Sequence, residues 1–215
     1  MIKNSLYTFD YFQPEEYHFS LDSVFLAQKV ASLIKEGPEE LAVLDLCAGC
    51  GVIGLELSLH SARNLHIDFL EIQEVYQSFF QQNVEMIYPQ HPQKFEQFRF
   101  LNLNYQALRH PAFENKYDLI VCNPPYFFKG EGLLSPSEFK NRCRFFLDSD
   151  FKTLIEVTLQ ALKPNSAAYL LVRSGTHHGR TPLAEINKIL KNEGSAQIID
   201  NVRGTDVVEI RKKLN

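Results

Sequence analysis

Tryptophan is absent from this 215-residue chain, methionine occurs twice and cysteine only four times. Four cysteines, Cys47, Cys50, Cys122 and Cys143, do not make the disulfide framework of a small secreted domain, so free thiols are expected. Cys47-x-x-Cys50 lacks the second pair at like spacing that a structural zinc site needs, and no metal is expected. No stretch approaches the ~20 apolar residues of a membrane-spanning helix. The start, Met1-Ile2-Lys3-Asn4-Ser5, shows no apolar core leading to a small-residue cleavage site, so the expected location is the cytoplasm. Charge of one sign is missing too: 22 Lys and Arg against 26 Asp and Glu leave a net charge of -4. That excludes a global attraction to phosphate, and a nucleic-acid partner would need a local basic patch. Pro/Gly-rich linkers, internal repeats and low-complexity tracts are absent. One domain over 1–215 is expected, with 1–40 a helical extension and 41–215 the core.

What is present is an alternation of strand and helix patterns. Ser20 stands as N-cap before an apolar stripe at helical spacing, Val24 to Ile34, that Gly37-Pro38 stops. Leu41 to Leu46 reads as a first strand, and a small-residue loop then opens a helix through Val52, Ile53, Leu55 and Leu57. A strand at Leu65 to Leu70, a helix from Ile72 to Ile87, and strands at Phe98 to Leu103 and Tyr117 to Cys122 follow. Asp148 to Leu162 predicts a helix, Ala167 to Arg173 a fifth strand, and Pro182 to Leu190 a last helix. Ala196 to Ile199 and Val207 to Ile210 form two closing strands around Arg203-Gly204. This order implies an α/β fold whose mostly parallel sheet is covered by helices on both faces, with ligands beyond the carboxyl ends of the strands. The connection from Phe127 to Phe146 is too long for a routine turn and reads as a binding segment.

Asp45-Leu46-Cys47-Ala48-Gly49-Cys50-Gly51-Val52-Ile53-Gly54 places glycines where the chain turns tightly between strand and helix. By itself Gly49-x-Gly51-x-x-Gly54 suits a close strand–helix turn, a dinucleotide site or another nucleoside site. Asp45, four residues before Gly49, can hold an ammonium group such as that of a methionine moiety, directly or through water. Glu71 closes the second strand, where a carboxylate can accept from both hydroxyls of a ribose. After the third strand, Asn102 and Asn104 are candidates to receive an adenine amino group through an amide oxygen, Asn104 the better placed.

Asn123-Pro124-Pro125-Tyr126 lies at the end of the fourth strand. Two prolines stiffen the backbone and, lacking N–H groups, leave carbonyl oxygens as acceptors. The Asn123 side-chain oxygen adds another. A planar amine is a poor nucleophile, and two acceptors on its N–H groups stabilise the positive charge that develops as it attacks. Tyr126 can stack on a flat substrate, with Phe127 or Phe128 as a second wall.

Together Asp45, Gly49, Gly51, Glu71 and Asn123 to Tyr126 resemble class I S-adenosylmethionine-dependent methyltransferases. The branch is the one whose Asn/Asp-Pro-Pro-Tyr motif handles exocyclic adenine or guanine amines or glutamine side-chain amides. Tyr17-His18-Phe19-Ser20-Leu21-Asp22-Ser23-Val24-Phe25-Leu26-Ala27 is similar to the Tyr-x-Phe-Ser-x-Asp-Ser/Ala-x-Leu-Leu-Ala segment of bacterial adenine N6-methyltransferases that act on the anticodon loop of a valine tRNA. The resemblance implies a Rossmann-like, seven-stranded sheet with a C-terminal antiparallel hairpin, S-adenosylmethionine as cofactor, and structured RNA as partner. It implies cofactor contacts at Asp45, Cys47, Gly49, Gly51, Glu71, Ile72, Asn104 and Asn123. Asn123, Pro124, Pro125 and Tyr126 become the catalytic set, and Tyr126, Phe127, Phe128, Arg142 and Arg144 the substrate set. Cys47 stands where the family usually has Gly, and Asn104 where Asp is common. Arg142, Arg144, Arg173, His177, His178 and Arg180, with Lys140, are the local positive charges for RNA. Two other readings compete: a protein glutamine N5-methyltransferase of the release-factor type, and a non-catalytic cofactor- or RNA-binding protein.

Overall fold

The computed structural model describes residues 10–91, 94–176 and 179–214. His177 and His178 lie outside the described residues. Seven strands form one sheet in the order β3-β2-β1-β4-β5-β7-β6. They are β1 (Leu41–Leu46), β2 (Leu65–Glu71), β3 (Phe98–Asn102), β4 (Tyr117–Cys122), β5 (Leu162–Arg173), β6 (Gly194–Val202) and β7 (Thr205–Lys212). Strands β1 to β5 run parallel, while β7 runs antiparallel to both β5 and β6. The helices are α1 (Leu21–Leu33), α2 (Val52–His60), α3 (Tyr76–Ile87), α4 (Lys94–Gln97), α5 (Glu138–Arg144), α6 (Phe151–Ala161) and α7 (Pro182–Leu190). No helix among the described residues is long and apolar enough to cross a membrane.

Both sheet faces are buried, which is why the central strands are near-continuous apolar runs. Along β1, Val43 faces the cluster built with α1, α2 and α3, and Leu44 and Leu46 face the one built with α6 and α7. The closing hairpin turns on Arg203 and Gly204, both at positive φ (50° and 81°), the conformation that two-residue hairpin turns require.

Differences from the sequence pattern have local causes. Helix α3 starts at Tyr76 rather than Ile72, because Glu71 Oε1 accepts from the Gln73 N–H (2.9 Å) and Asn102 Nδ2 donates to the carbonyls of Glu71 and Ile72 (both 3.0 Å). These bonds hold residues 72–75 in an open turn. Helix α6 starts at Phe151, not Asp148, because the Asp150 side chain caps it through the Thr153 N–H (2.9 Å). Strand β5 begins at Leu162 rather than Ala167, since Leu162 already pairs with Tyr117 before a register shift. Strands β6 and β7 each extend beyond the predicted limits. Helix α5, inside the long Phe127 to Phe146 connection, has too few residues for a periodic apolar signal.

Gly54 lets α2 sit against β2. A Cβ there would lie 2.4 Å from Phe69 Cε1 and 3.1 Å from Asp45 Oδ2. Phe69 is fully buried and held by Phe80 and Phe98, at ring-centroid distances of 4.6 and 5.8 Å, so it cannot step aside cheaply. Gly54→Ala is therefore expected to destabilise the fold by roughly 1–3 kcal/mol, the usual cost of overpacking. A urea melt of the variant would register this, and an unchanged midpoint would contradict the packing described.

Candidate functional site

The strand order reverses at β1, which has β2 on one side and β4 on the other. Leu46 pairs with both Leu70 and Cys122, so the loops after β1, β2 and β4 leave the sheet at one level. A cavity of about 250 Å³ opens there, with Gly49, Glu71, Asn104, Asn123 and Tyr126 on its wall.

In the first loop Cys47, Gly49 and Gly51 all have positive φ, at 60°, 54° and 86°. Glycine adopts this backbone without cost, whereas Cys47 has to bear the strain of a side chain there. The loop is held by the Ala48 N–H on the Leu70 carbonyl (3.1 Å) and the Gly49 N–H on Glu71 Oε2 (3.0 Å). Asp45 is fully buried one layer behind, and its Oδ2 accepts from the Gly54 N–H at 2.8 Å. Its Oδ1 has no hydrogen-bond partner among the described residues. Burial raises the Asp45 carboxyl well above the usual carboxylate range; the Gly54 N–H opposes this and the neighbouring Glu71 adds to it.

Glu71 is buried with both oxygens on backbone amides, Oε2 on Gly49 and Oε1 on Gln73. Burial raises its pKa, against the pull of those N–H groups. Ile72 and Asn104 also line the cavity. The Asn104 oxygen accepts from the Gln106 N–H (2.9 Å) and its Nδ2 donates to the Asp148 carbonyl (3.1 Å), which leaves one lone pair on the oxygen. Asn102 instead braces the turn after β2.

Asn123 is oriented by two hydroxyls. Its Nδ2 donates to Ser23 Oγ (3.0 Å), and its Oδ1 accepts from the Tyr126 hydroxyl (2.6 Å). The amide oxygen thus faces Tyr126 with one lone pair remaining. Pro124, Pro125 and Phe127 share the cavity wall, and Arg142 and Arg144 stand at its edge. Arg142 is engaged by Asp148, with Nε and Nη2 on the carboxylate at 2.6–3.1 Å. Phe128, expected as a second wall for a substrate, does not line the cavity. Its ring stacks on Phe146 (5.2 Å) and lies under the Arg180 guanidinium (3.3 Å), which turns it into a smaller cleft behind the tetrapeptide.

Several residues of the cavity wall receive no role from the sequence. Gln13, Tyr17, Asp22 and Ser23 bring the chain before β1 into the cavity wall. This arm is docked by Tyr11, whose hydroxyl donates to the buried Glu56 (2.7 Å), and by Asn83, which accepts from the Phe12 N–H (2.7 Å) and donates to the Phe12 carbonyl (2.9 Å). Asn83 Nδ2 also donates to the Cys50 carbonyl at 3.1 Å, tying arm to loop. Cys143 on α5 lies 3.3 Å from both Gln73 Nε2 and the Tyr76 hydroxyl. The Tyr17 to Ala27 pattern marked this arm as distinctive, but only the fold shows that it forms a wall.

The family model of the methyltransferase small domain matches residues 19–134, more than half of the chain. The tRNA1(Val) (adenine(37)-N6)-methyltransferase of Dyadobacter fermentans is 30% identical over 131 residues, 60% of this chain and 49% of that protein. The protein of the same name from Flavobacterium psychrophilum is 28% identical over 185 residues, 81% of this chain and 68% of that protein. The chain thus spans about half the length of the first relative and about two thirds of the second. Among solved structures, the Thermus thermophilus 16S rRNA N2 methyltransferase RsmC, in complex with AdoMet and guanosine, superposes with a TM-score of 0.63 at 18% identity. The match covers 93% of this chain and 45% of that one. The likeness is one of fold.

The raised pKa of Asp45 has a consequence for stability. Between the unfolded-chain value near ~4 and the higher folded value, the native state holds a proton that the unfolded chain releases. The contribution is fully favourable below that window and is lost as pH rises through it. Asp45→Asn keeps an oxygen for the Gly54 N–H and never charges. Relative to the parent protein, the variant should gain in thermal midpoint as the pH is raised above the ordinary carboxylate range. Parallel profiles would show that Asp45 is not the group being titrated.

Proposed function

The chain belongs to the methyltransferase small domain family, and on that premise we propose that it methylates N6 of an adenine in RNA, with the anticodon loop of a tRNA as the substrate. The observation that carries this reading is the register at Leu46, which sets Asn123-Pro124-Pro125-Tyr126 beside the loop that would hold the cofactor. The curated relatives described above, which modify an adenine of tRNA, direct the reading to that substrate. A cytoplasmic location, where tRNA is modified, goes with this reading.

The residues present fit S-adenosylmethionine. Asp45, buried behind the cavity wall and not on it, has one oxygen without a partner among the described residues, which an amino-acid ammonium would engage directly or through water. Gly49 and Cys47, both left-handed, line the cavity and let a ligand approach the backbone, whereas Gly51, expected as a cofactor contact, is not on the wall and makes room for Phe80, which a Cβ there would meet at 2.7 Å. Glu71 has lone pairs left for ribose hydroxyls, with Ile72 beside it, and Asn104 has one for an adenine amino group. Bound there, the cofactor supplies an electrophilic methyl group on a sulfonium.

The work of the protein's own residues is positioning and charge stabilisation. Asn123 Oδ1 and a proline carbonyl of the motif accept the two N–H groups of the target amine, drawing charge toward them as the nitrogen becomes positive. Ser23 makes this dependable: by accepting from Nδ2 it keeps the oxygen, rather than the NH2, on the substrate side. The Tyr126 hydroxyl occupies one lone pair of that oxygen, and its ring offers the flat face on which a base stacks. An adenine already unstacked in a loop costs little to present.

Labelled cofactor incubated with tRNA from cells lacking the gene should transfer label to adenine, and absence of label would sink the proposal. Asn123→Ala is expected to lower turnover by ~10²–10³-fold with cofactor affinity near normal by calorimetry. Ser23→Ala should cost about tenfold in kcat, equivalent to one neutral hydrogen bond. Tyr126→Phe keeps the ring and should leave the KM for RNA nearly unchanged. Tyr126→Ala loses a stacking contact worth about 1–3 kcal/mol and should raise that KM tenfold or more.

A further inference from the structure

Four arginines surround the tetrapeptide, and they are not equivalent. Arg142 is neutralised by Asp148 and Arg180 by Glu185, each through two guanidinium nitrogens. Among the described residues no carboxylate lies within ion-pair distance of Arg144 or Arg173. Both instead turn toward one aromatic ring. The guanidinium carbon of Arg144 lies 5.4 Å, and that of Arg173 5.1 Å, from the centroid of Phe127, the residue that follows Tyr126. Arg144 also approaches Phe145 at 5.6 Å.

We propose that Arg144 and Arg173, braced on Phe127, form a clamp for the phosphodiester backbone of the RNA strand that carries the target base. The inference rests on the RNA reading above and names the residues that make it possible for a protein with a net charge of -4. A guanidinium lying against a ring keeps its N–H edges free, in a planar fork that matches a phosphate, while the ring limits the freedom lost on binding. The two charges come from different elements, Arg144 ending α5 and Arg173 ending β5, so they converge through the fold alone. Their place relative to the target base is fixed as well. The Arg144 carbonyl accepts from the N–H groups of Tyr126 (3.2 Å) and Phe127 (3.0 Å), and Phe127 returns a bond through its own carbonyl from the Phe146 N–H (2.8 Å).

The location argues against the cofactor as the anion served. Arg173 lines the smaller cleft, on the far side of Pro124 and Pro125 from the first loop, while Arg144 lines the larger cavity. A ligand touching both must pass over the tetrapeptide, as a strand does when one of its bases is inserted beside Tyr126. Arg142 and Arg180 are excluded from the clamp because their charge is already balanced. Binding there would require breaking a charge-assisted pair.

The test uses the full chain with Arg144→Gln, Arg173→Gln and the double variant, which keep much of the side-chain stem against Phe127 but lose the charge. Arg211→Gln, whose parent residue pairs with Glu209 on β7, serves as the surface control. The substrate is an unmodified tRNA transcript, assayed between 50 and 200 mM KCl. Each single variant is expected to raise the KM for tRNA several-fold, and the double variant by tenfold or more. The slope of log affinity against log salt should fall by about 0.7–0.9 for each phosphate contact removed. Affinity for S-adenosylmethionine should not change. Arg144→Lys with Arg173→Lys should recover the salt slope, which a merely structural role would not do. An unchanged KM and slope in the double Gln variant, with parent protein active on tRNA, would overturn the clamp while leaving the function standing. A fall in kcat alone would overturn it too. A parent protein inactive on tRNA would remove the RNA reading itself, and the clamp with it.

Discussion

The pairing of Leu46 with Leu70 on one side and Cys122 on the other is the constraint from which the site follows. A parallel sheet has no local turn to hold its neighbours in register, so burial on both faces must do so. Leu46 and Leu70 belong to the cluster under α6 and α7, with Cys122 beside them. A slip of one residue would send these side chains to the opposite face. Because the register holds, three loops that lie far apart in the chain begin at the same height, and a cavity forms where the strand order reverses.

Around that edge the polar groups divide into those that build and those that remain open. Glu71 and Asn102 use their oxygens or amides to hold the loops in non-helical shapes, and Asp45 accepts from Gly54 in the first turn of α2. The buried carboxylates are costly in a ligand-free protein, which is why their pKa values rise. A cationic ligand group beside Asp45 would offset that cost. Asn123 is different: it is not needed to shape its loop, because Pro124 and Pro125 do that, and its amide is left to be aimed by Ser23 and Tyr126.

Charge follows a similar division. Most arginines of the described surface sit in pairs, such as Arg99 with Asp68 and Arg109 with Glu156. An exposed pair such as Arg109 with Glu156 contributes little to stability, whereas Asp68 is buried and also bonded by Lys116 and Tyr117. Of the three arginines that no ion pair engages among the described residues, Arg203 lies in the β6–β7 turn, and Arg144 and Arg173 flank the tetrapeptide.

The sequence by itself determined the alternating α/β order, most strand limits, the strained glycine loop and the Asn-Pro-Pro-Tyr segment, because each depends on neighbours a few residues away. Apolar runs, prolines and positive-φ glycines are local devices, and they read as such. Cys47 marked itself as a departure, and its φ of 60° shows why glycine is the usual choice at such a position. Which side chains meet was settled only by tertiary structure. Ser23 and Asn123 are 100 residues apart, and Arg144 and Arg173 reach one ring from a helix and a strand. Phe128 and Arg142 looked equivalent to Phe127 and Arg144 by position, and only packing against Phe146 and pairing with Asp148 separates them. Contacts of that range depend on sheet order and register, which no pattern of adjacent residues encodes.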